Sequence, residues 1–402
     1  MVGVLLFQSV QAQEATFRKH INYLASDLLG GRLPGTTGDT LAAHYIREIL
    51  ELYGYKHIFD EGLQSFSYSF ELEQDSCAVR DTIWTFNVAL MLEGSDPELK
   101  KECVVVGAHY DHLGRANFGG SRMPDTQVIH YGADDNASGV AMVLEIAHKL
   151  AGEKPKRTLV VAAFGAEEQG IIGSKYFVSH FPDTLPKPVL MVNLDMVGRL
   201  NEKRMLEING TGTFAGAEDL LNATPNPDSL QITMIKGGFG PSDHTAFYGN
   251  QIPVLFFTTG VHNDYHTPED NAEKINYLGM EKVYDYVLHI VEPLMNDSIT
   301  PQYQKIGNES SATSPKFKVT FGIIPDFNNV YEGDGMRADF VTAGKSADKA
   351  GMKNGDIILQ IGDKQIHSIL DYMERLSELE AGESVYVKIK RGTEILTLII
   401  DL

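Results

Sequence analysis

Cysteine is nearly absent from this chain, with Cys77 and Cys103 the only two thiols among 402 residues. Two cysteines exclude a disulfide framework and offer no thiolate metal site. The sequence leaves open whether they pair. Basic residues are also scarce. Lys and Arg number 34 against 54 Asp and Glu, for a formal net charge of -20. That balance argues against nucleic acid and anionic membrane as partners, while basic peptides are tolerated. No stretch is long and apolar enough to span a bilayer. The opening VGVLLFQSVQAQE has an apolar centre and a small-residue cleavage position after Ala12, but lacks a basic lead-in. Residues 1–13 read as the remnant of a signal peptide, which implies a periplasmic or secreted protein; an N-terminal helix or strand is the other reading.

The 43% hydrophobic content is ample for a large core and more than one domain. Four apolar runs each end in a polar tip: ECVVVGAHYDHLG at His109 and Asp111, TLVVAAFGAEEQG at Glu167 and Glu168, PVLMVNLDMVG at Asp195, and IPVLFFTTG before the loop VHNDYHTPEDN with His266. Continuous rather than alternating apolar runs mark strands covered on both faces, so the expected fold is α/β, a mostly parallel mixed sheet flanked by helices. Ligands gather at the carboxyl ends of such strands. Helical spacing predicts ATFRKHINYLASDLL, DTLAAHYIREILELYGY, DNASGVAMVLEIAHKLAG and MEKVYDYVLHIVEPLMN as helices.

Charge turns this layout into a metal expectation. Convergence of Asp135, Glu167, Glu168 and Asp195 without cations would raise their pKa values and cost stability. Divalent ions remove that penalty, and mixed imidazole and carboxylate donors suit zinc.

The strings GAHYDHLG, GADDNASG, AEEQG, NLDMVG and YHTPEDN, in this order, resemble the di-zinc aminopeptidase family that includes aminopeptidase Y and the bacterial leucyl aminopeptidases. The transferrin receptor and glutaminyl cyclases are more distant relatives. The resemblance covers residues 16 to 296. It implies an α/β/α sandwich of the zinc-exopeptidase kind, two zinc ions and peptide substrates. His109 and Asp195 would hold one zinc, Glu168 and His266 the other, and Asp135 would bridge them, with Asp134 behind it. Asp111 would orient the His109 imidazole. Glu167 would be the general base that activates a bridging hydroxide, and Tyr265 a donor to the oxyanion. Asp243 is a candidate for the pocket wall.

Each residue also has a plainer reading. His109 or His266 alone is more often a structural histidine, Glu167 and Glu168 suit a helix N-terminus, and Asp243 with Ser242 suits a helix cap. Arg32 in GGRLPGTTG reads as a turn or ion-pair residue. His112, His130, His244 and His262 are given no metal role.

Beyond residue 297 the polar DSITPQYQKIGNESSATSPK reads as a linker. The string VTAGKSADKAGMKNGDIILQIGDKQIHSILDYMERL, with the terminal VYVKIKRGTEILTLII, is similar to the PDZ domains of bacterial proteases. That implies a small β-rich module in which Phe321, Gly322, Ile323 and Ile324 form the loop for a peptide C-terminus, and the helix from Ile369 to Leu376 forms the other groove wall. The expected division is 1–13, a zinc peptidase domain 14–296, a linker 297–314 and a PDZ domain 315–402. An aminopeptidase is the leading functional reading. A carboxypeptidase that draws its cation from Arg115, Arg122 or Arg199, a one-zinc glutaminyl cyclase, and a PDZ-based binding protein with a vestigial metal site are the alternatives.

Overall fold

The apolar runs form the strands that the sequence leads one to expect. The computed structural model describes residues 2–74, 77–116, 120–123, 127–297, 300–306, 319–325, 334–341, 344–367 and 369–402. The chain divides into two units, Met1–Gly307 and Asn308–Leu402.

Among the described residues of the first unit the strands are β1 (Lys56–His57), β2 (Leu63–Gln74), β3 (Cys77–Leu92), β4 (Glu102–His109), β5 (Thr158–Phe164), β6 (Lys187–Leu194), β7 (Met205–Asn209), β8 (Gln231–Ile235) and β9 (Val254–Thr258). They form one sheet in the order β1-β3-β5-β4-β6-β9-β7-β8, with β2 paired to β3. The central β5, β4, β6 and β9 run parallel, whereas β3 joins β5 antiparallel. Parallel direction brings the ends of these four strands to one edge, where the polar tips lie.

The helices are α1 (Val2–Leu24), α2 (Thr37–Leu52), α3 (Gly139–Glu153), α4 (Ile172–Ser179), α5 (Ala217–Ala223), α6 (His244–Gly249) and α7 (Tyr277–Asn296). Side chains of β4 alternate between two cores, as the period of a strand requires. Val104 and Val106 pack with Phe17 of α1, Ile46 of α2, Val143 of α3 and Val283 of α7. Cys103 and Val105 pack with Phe177 of α4 and Phe247 of α6. Helices therefore cover both faces, and every residue of β5 is buried.

Three boundaries differ from expectation. The first helix ends at Leu24 rather than Leu29, where the Ser26 hydroxyl donates to the Tyr23 carbonyl at 2.7 Å. The helix expected to begin at Asp135 begins at Gly139. Asp135 (φ -107°, ψ 93°) and Asn136 (φ -131°, ψ 43°) are not helical, and the Gly139 N–H donates to Asn136 Oδ1 at 2.9 Å. A Cβ on Gly139 would stand 2.4 Å from the Leu194 carbonyl oxygen, so only glycine lets α3 start against β6. Thirdly, residues 300–306, expected as linker, belong to the first unit. Thr300 donates to the Glu102 carboxylate at 2.8 Å, and Tyr303 pairs with Phe214.

The second unit has β10 (Ile323–Pro325), β11 (Met336–Val341), β12 (Ile357–Ile361), β13 (Lys364–Gln365), β14 (Ser384–Arg391) and β15 (Glu394–Asp401), paired antiparallel. Its helices are α8 (Ser346–Lys349) and α9 (Ile369–Glu378). A separate core gathers Phe321, Met336, Ile358, Tyr372, Val387 and Ile389. Arg391 grips the buried Asp356 carboxylate at 2.6 and 2.7 Å, tying β14 to the turn before β12. Phe321 is buried, and its ring meets Tyr372 of α9 edge to face with centroids 5.8 Å apart. Its ring is therefore core. Gly322 has φ +74°, and a Cβ there would meet the Lys345 Cβ at 2.2 Å. Ile323 opens β10; the Ile324 side chain lies outside the described residues.

Candidate functional site

His109 is the last residue of β4, and Asp195 directly follows β6. Glu167 and Glu168 lie just past β5, and His266 comes from the loop after β9. Asp135 occupies the irregular segment before α3. His109 Nε2 stands 3.2 Å from Asp135 Oδ1 and 3.5 Å from Asp195 Oδ1. His266 Nε2 stands 3.1 Å from Asp135 Oδ2 and 3.0 Å from Glu168 Oε2. The two oxygens of Asp135 thus face two different donor sets.

These spacings test whether zinc fits. Two ligands on one tetrahedral zinc, with bonds of about 2.0–2.1 Å, stand roughly 3.3–3.4 Å apart. The four separations above, 3.0 to 3.5 Å, match the edges of such polyhedra. Two donor groups that could hold a metal share Asp135: one with His109 and Asp195, the other with His112 and Glu168, beside which His266 also stands.

The supports around the donors are specific. His266 Nδ1 faces the Gly120 carbonyl at 2.8 Å, which aims Nε2 into the site. The Asp270 carboxylate accepts the N–H groups of Asp134 and Asp135, at 3.0 Å for the latter. Asp134 turns away to accept the Gly198 N–H at 2.7 Å, with His262 Nε2 3.2 Å behind it. Arg32, fully buried, donates to the carbonyls of Leu24, Tyr110, Tyr131 and Gly132. It therefore clamps the segment after β4 to the segment before Asp135, a larger task than a turn. Asp111 departs from expectation. It stands 3.6 Å from His109 Nδ1, while its shorter bonds receive the N–H groups of Glu167 (3.0 Å) and Glu168 (3.3 Å). It holds the glutamate pair in place as well as facing the imidazole.

Electrostatics separate the two glutamates. Burial, reinforced by Asp243, Glu168 and Asp195 against an opposing His109, holds the Glu167 carboxyl well above the usual range. Glu168 goes the other way: burial is outweighed by His266 and His112, and its carboxyl falls to about 2. The Tyr265 ring stacks on His266 with centroids 3.8 Å apart. Burial and the carboxylates of Asp135, Glu168, Glu167 and Asp195 hold its phenol far above the ordinary value, so it stays protonated.

Asp243 is buried beside this cluster, with burial pushing its carboxyl up to about 7. It makes no side-chain cap to α6. His130 bonds Ser121 at 2.7 Å and His244 stacks on Phe256, so both are structural. His112 was given no role from sequence, yet its Nδ1 lies 2.7 Å from Glu168 Oε1. Its position three residues after His109 is the one signal that placed it near. Lys175 is the other omission, an exposed cation that donates to the Gly170 carbonyl at 3.0 Å and feels the charges of Glu167 and Asp243. As the last residue of the AEEQGIIGSK string it carries no distinctive spacing.

Residues 87–291 match the model of peptidase family M28, and residues 327–402 match a PDZ domain. Aminopeptidase YwaD of Bacillus subtilis is 32% identical over 198 residues, 46% of this chain and 40% of that protein. The matched stretch is thus less than half of that relative. An aminopeptidase from Aneurinibacillus sp. strain AM-1 shares the fold with a TM-score of 0.57 at 18% identity, over 74% of this chain and 96% of that one. Porphyromonas gingivalis glutaminyl cyclase does so with a TM-score of 0.53 at 17% identity, over 69% and 97%. The chain belongs to peptidase family M28 and carries a C-terminal PDZ domain.

Proposed function

We propose that this protein is a zinc-dependent aminopeptidase that works with two zinc ions. The observation that carries the reading is the pair of donor sets sharing Asp135, one completed by His109 and Asp195 and the other by Glu168 and His266. Bound zinc would supply Lewis acidity, making water nucleophilic near neutral pH and polarising a carbonyl. Glu167, fixed through its N–H to Asp111, accepts the proton of the attacking water and returns it to the leaving amine. Its raised affinity for protons suits both tasks. Tyr265, protonated and facing the same carboxylates, donates to the developing oxyanion. The surrounding carboxylates suit a substrate with a free α-ammonium group.

The arginines that a carboxypeptidase would use are engaged elsewhere. Arg199 bonds Asp264 at 2.7 Å, Arg122 donates to the Asn263 carbonyl at 3.1 Å, and Arg115 donates to the Gln127 carbonyl at 3.3 Å. The glutaminyl cyclase reading, favoured by the shared fold, predicts one zinc where these donors suit two. The PDZ domain would take peptide C-termini at Phe321, Gly322, Ile323 and Ile324, with α9 as the opposite wall. Export to the periplasm or outside the cell is part of the proposal. The described core residues of α1, Phe17, Ile21 and Leu24, all follow Ala12, so cleavage there would keep that packing.

The test is one peptide set offered free, N-acetylated or C-amidated, with zinc and after chelation. Zinc-dependent loss of N-terminal residues, abolished by acetylation, is the expected result. Abolition by amidation instead would establish a carboxypeptidase, and no cleavage would favour the cyclase or binding readings.

A further inference from the structure

Two imidazoles compete for the role of nitrogen donor beside Glu168 and Asp135, and the structure distinguishes them. His266 Nε2 stands 3.0 Å from Glu168 Oε2 and 3.1 Å from Asp135 Oδ2, both at ligand-edge length. His112 Nδ1 stands 2.7 Å from Glu168 Oε1 and 3.9 Å from Asp135 Oδ2. The first is a hydrogen bond. The second is too long for two ligands on one zinc, whose separation is roughly 3.3–3.4 Å. Glu168 is thus divided, one oxygen committed to His112 and the other facing His266 and Asp135.

We infer that His112 is a positioning residue for Glu168: its Nδ1–H holds Oε1 and leaves Oε2 as the single metal-facing oxygen. The inference rests on the two-metal reading above. Without this bond the carboxylate is free to rotate about its terminal torsion, which is broad and two-fold, and to present both oxygens or neither.

The place of His112 is built rather than incidental. Its ring is fully buried, and its main-chain N–H donates to the Arg32 carbonyl at 3.3 Å. Gly132 lies against the ring, since a Cβ there would come within 2.5 Å of His112 Cγ. The Arg32 guanidinium in turn grips the carbonyls of Gly132 (2.9 Å), which lies against the ring, of Tyr131 before it (2.8 Å), and of Tyr110 (2.6 Å), two residues ahead of His112. One side chain therefore ties the segment packed against the ring to the segment that carries it. The arrangement mirrors His266, whose Nδ1 is held by the Gly120 carbonyl at 2.8 Å: Glu168 and His266 each have one atom tied to the protein and one directed at the metal position.

Asparagine places its amide nitrogen where Nδ1 of histidine stands, and glutamine places its own where Nε2 stands. The experiment titrates metal-free wild type, H112N, H112Q and H112L with zinc against a chromophoric chelator, reading the stoichiometry and both dissociation constants, with thermal melting of each metal-free protein alongside. The expected result is two zinc ions in wild type, with the weaker or stronger site of H112Q and H112L loosened about 10–100-fold while the other site is unchanged, and H112N restored to within about threefold of wild type, the residual being small against that loss. H112Q stays polar and near in volume, so it remains informative if H112L does not fold. Wild type with two zinc ions and H112Q or H112L matching both constants would overturn the inference alone. Loss in H112N as deep as in H112L would overturn it too, and would make His112 a direct ligand. A wild-type stoichiometry of one would overturn the two-metal reading and this inference with it.

Discussion

Replacing Glu167 with glutamine changes one atom and separates two effects. Its backbone anchor, the N–H donated to Asp111 Oδ1 at 3.0 Å, survives the substitution. The proton acceptor does not. A general base contributes about 10²–10⁴ in rate, so turnover should fall by that factor, a barrier increase of roughly 2.7–5.4 kcal/mol. The same carboxyl is held well above the ordinary range by burial and by Asp243, Glu168 and Asp195. A carboxyl raised in this way stabilises the fold fully only below its unfolded pKa, and that contribution is lost as pH rises through the folded value. The neutral amide carries no such loss, so metal-free E167Q should be more stable than metal-free wild type at pH 8, by about 0.5–2 kcal/mol if it behaves like other stabilising substitutions. The assays are hydrolysis of an aminoacyl anilide at verified zinc loading and thermal melting after chelation. Turnover within tenfold of wild type would remove Glu167 from the role of base. A metal-free melting point equal to or below wild type would refute the electrostatic account.

Asp135→Asn should cost both zinc ions, because its two oxygens face the two donor sets, whereas Asp195→Asn should spare the ion beside Glu168 and His266; metal analysis after gel filtration reads the difference. Asp39 is buried against the Gly35 N–H and the Thr85 hydroxyl, and burial pushes its carboxyl up to about 7. Its contribution is therefore full below about pH 4 and lost by about pH 7, roughly 4 kcal/mol in all; Asp39→Asn should flatten the pH dependence of denaturant stability across that window. Removing the second unit, Asn308–Leu402, should impair trimming of long peptides with free C-termini more than dipeptide hydrolysis, and equal effects on both would count against peptide capture by the PDZ domain.

The sheet's long parallel strands were legible because burial on both faces demands continuous apolar runs, as in TLVVAAF and VLFFT. The long hairpin of β2 and β3 is not among the elements read from sequence, although the alternation in QSFSYSF carries the period of a half-covered strand. Helix starts were less legible. The backbone of Asp135 and Asn136 departs from helical angles inside a string whose composition continues smoothly into α3, and composition does not register a contact with the Leu194 carbonyl 55 residues away.

Sequence alone determined which side chains are chemically able to act: His109, Asp135, Glu167, Glu168, Asp195 and His266 stand at or near the ends of strands that a core-forming pattern requires. Tertiary structure decided how they are shared out. Asp135 faces both sets because its two oxygens lie between imidazoles from β4 and from the loop after β9. Asp111 serves the glutamate pair more closely than the histidine, and His112, given no role from sequence, holds one oxygen of Glu168. The physical reason is range. Periodicity and burial are properties of neighbours along the chain, whereas the 2.7 Å approach of His112 to one oxygen of Glu168 and the 3.0 Å approach of His266 to the other are set by segments that meet only when the sheet and its helices have packed.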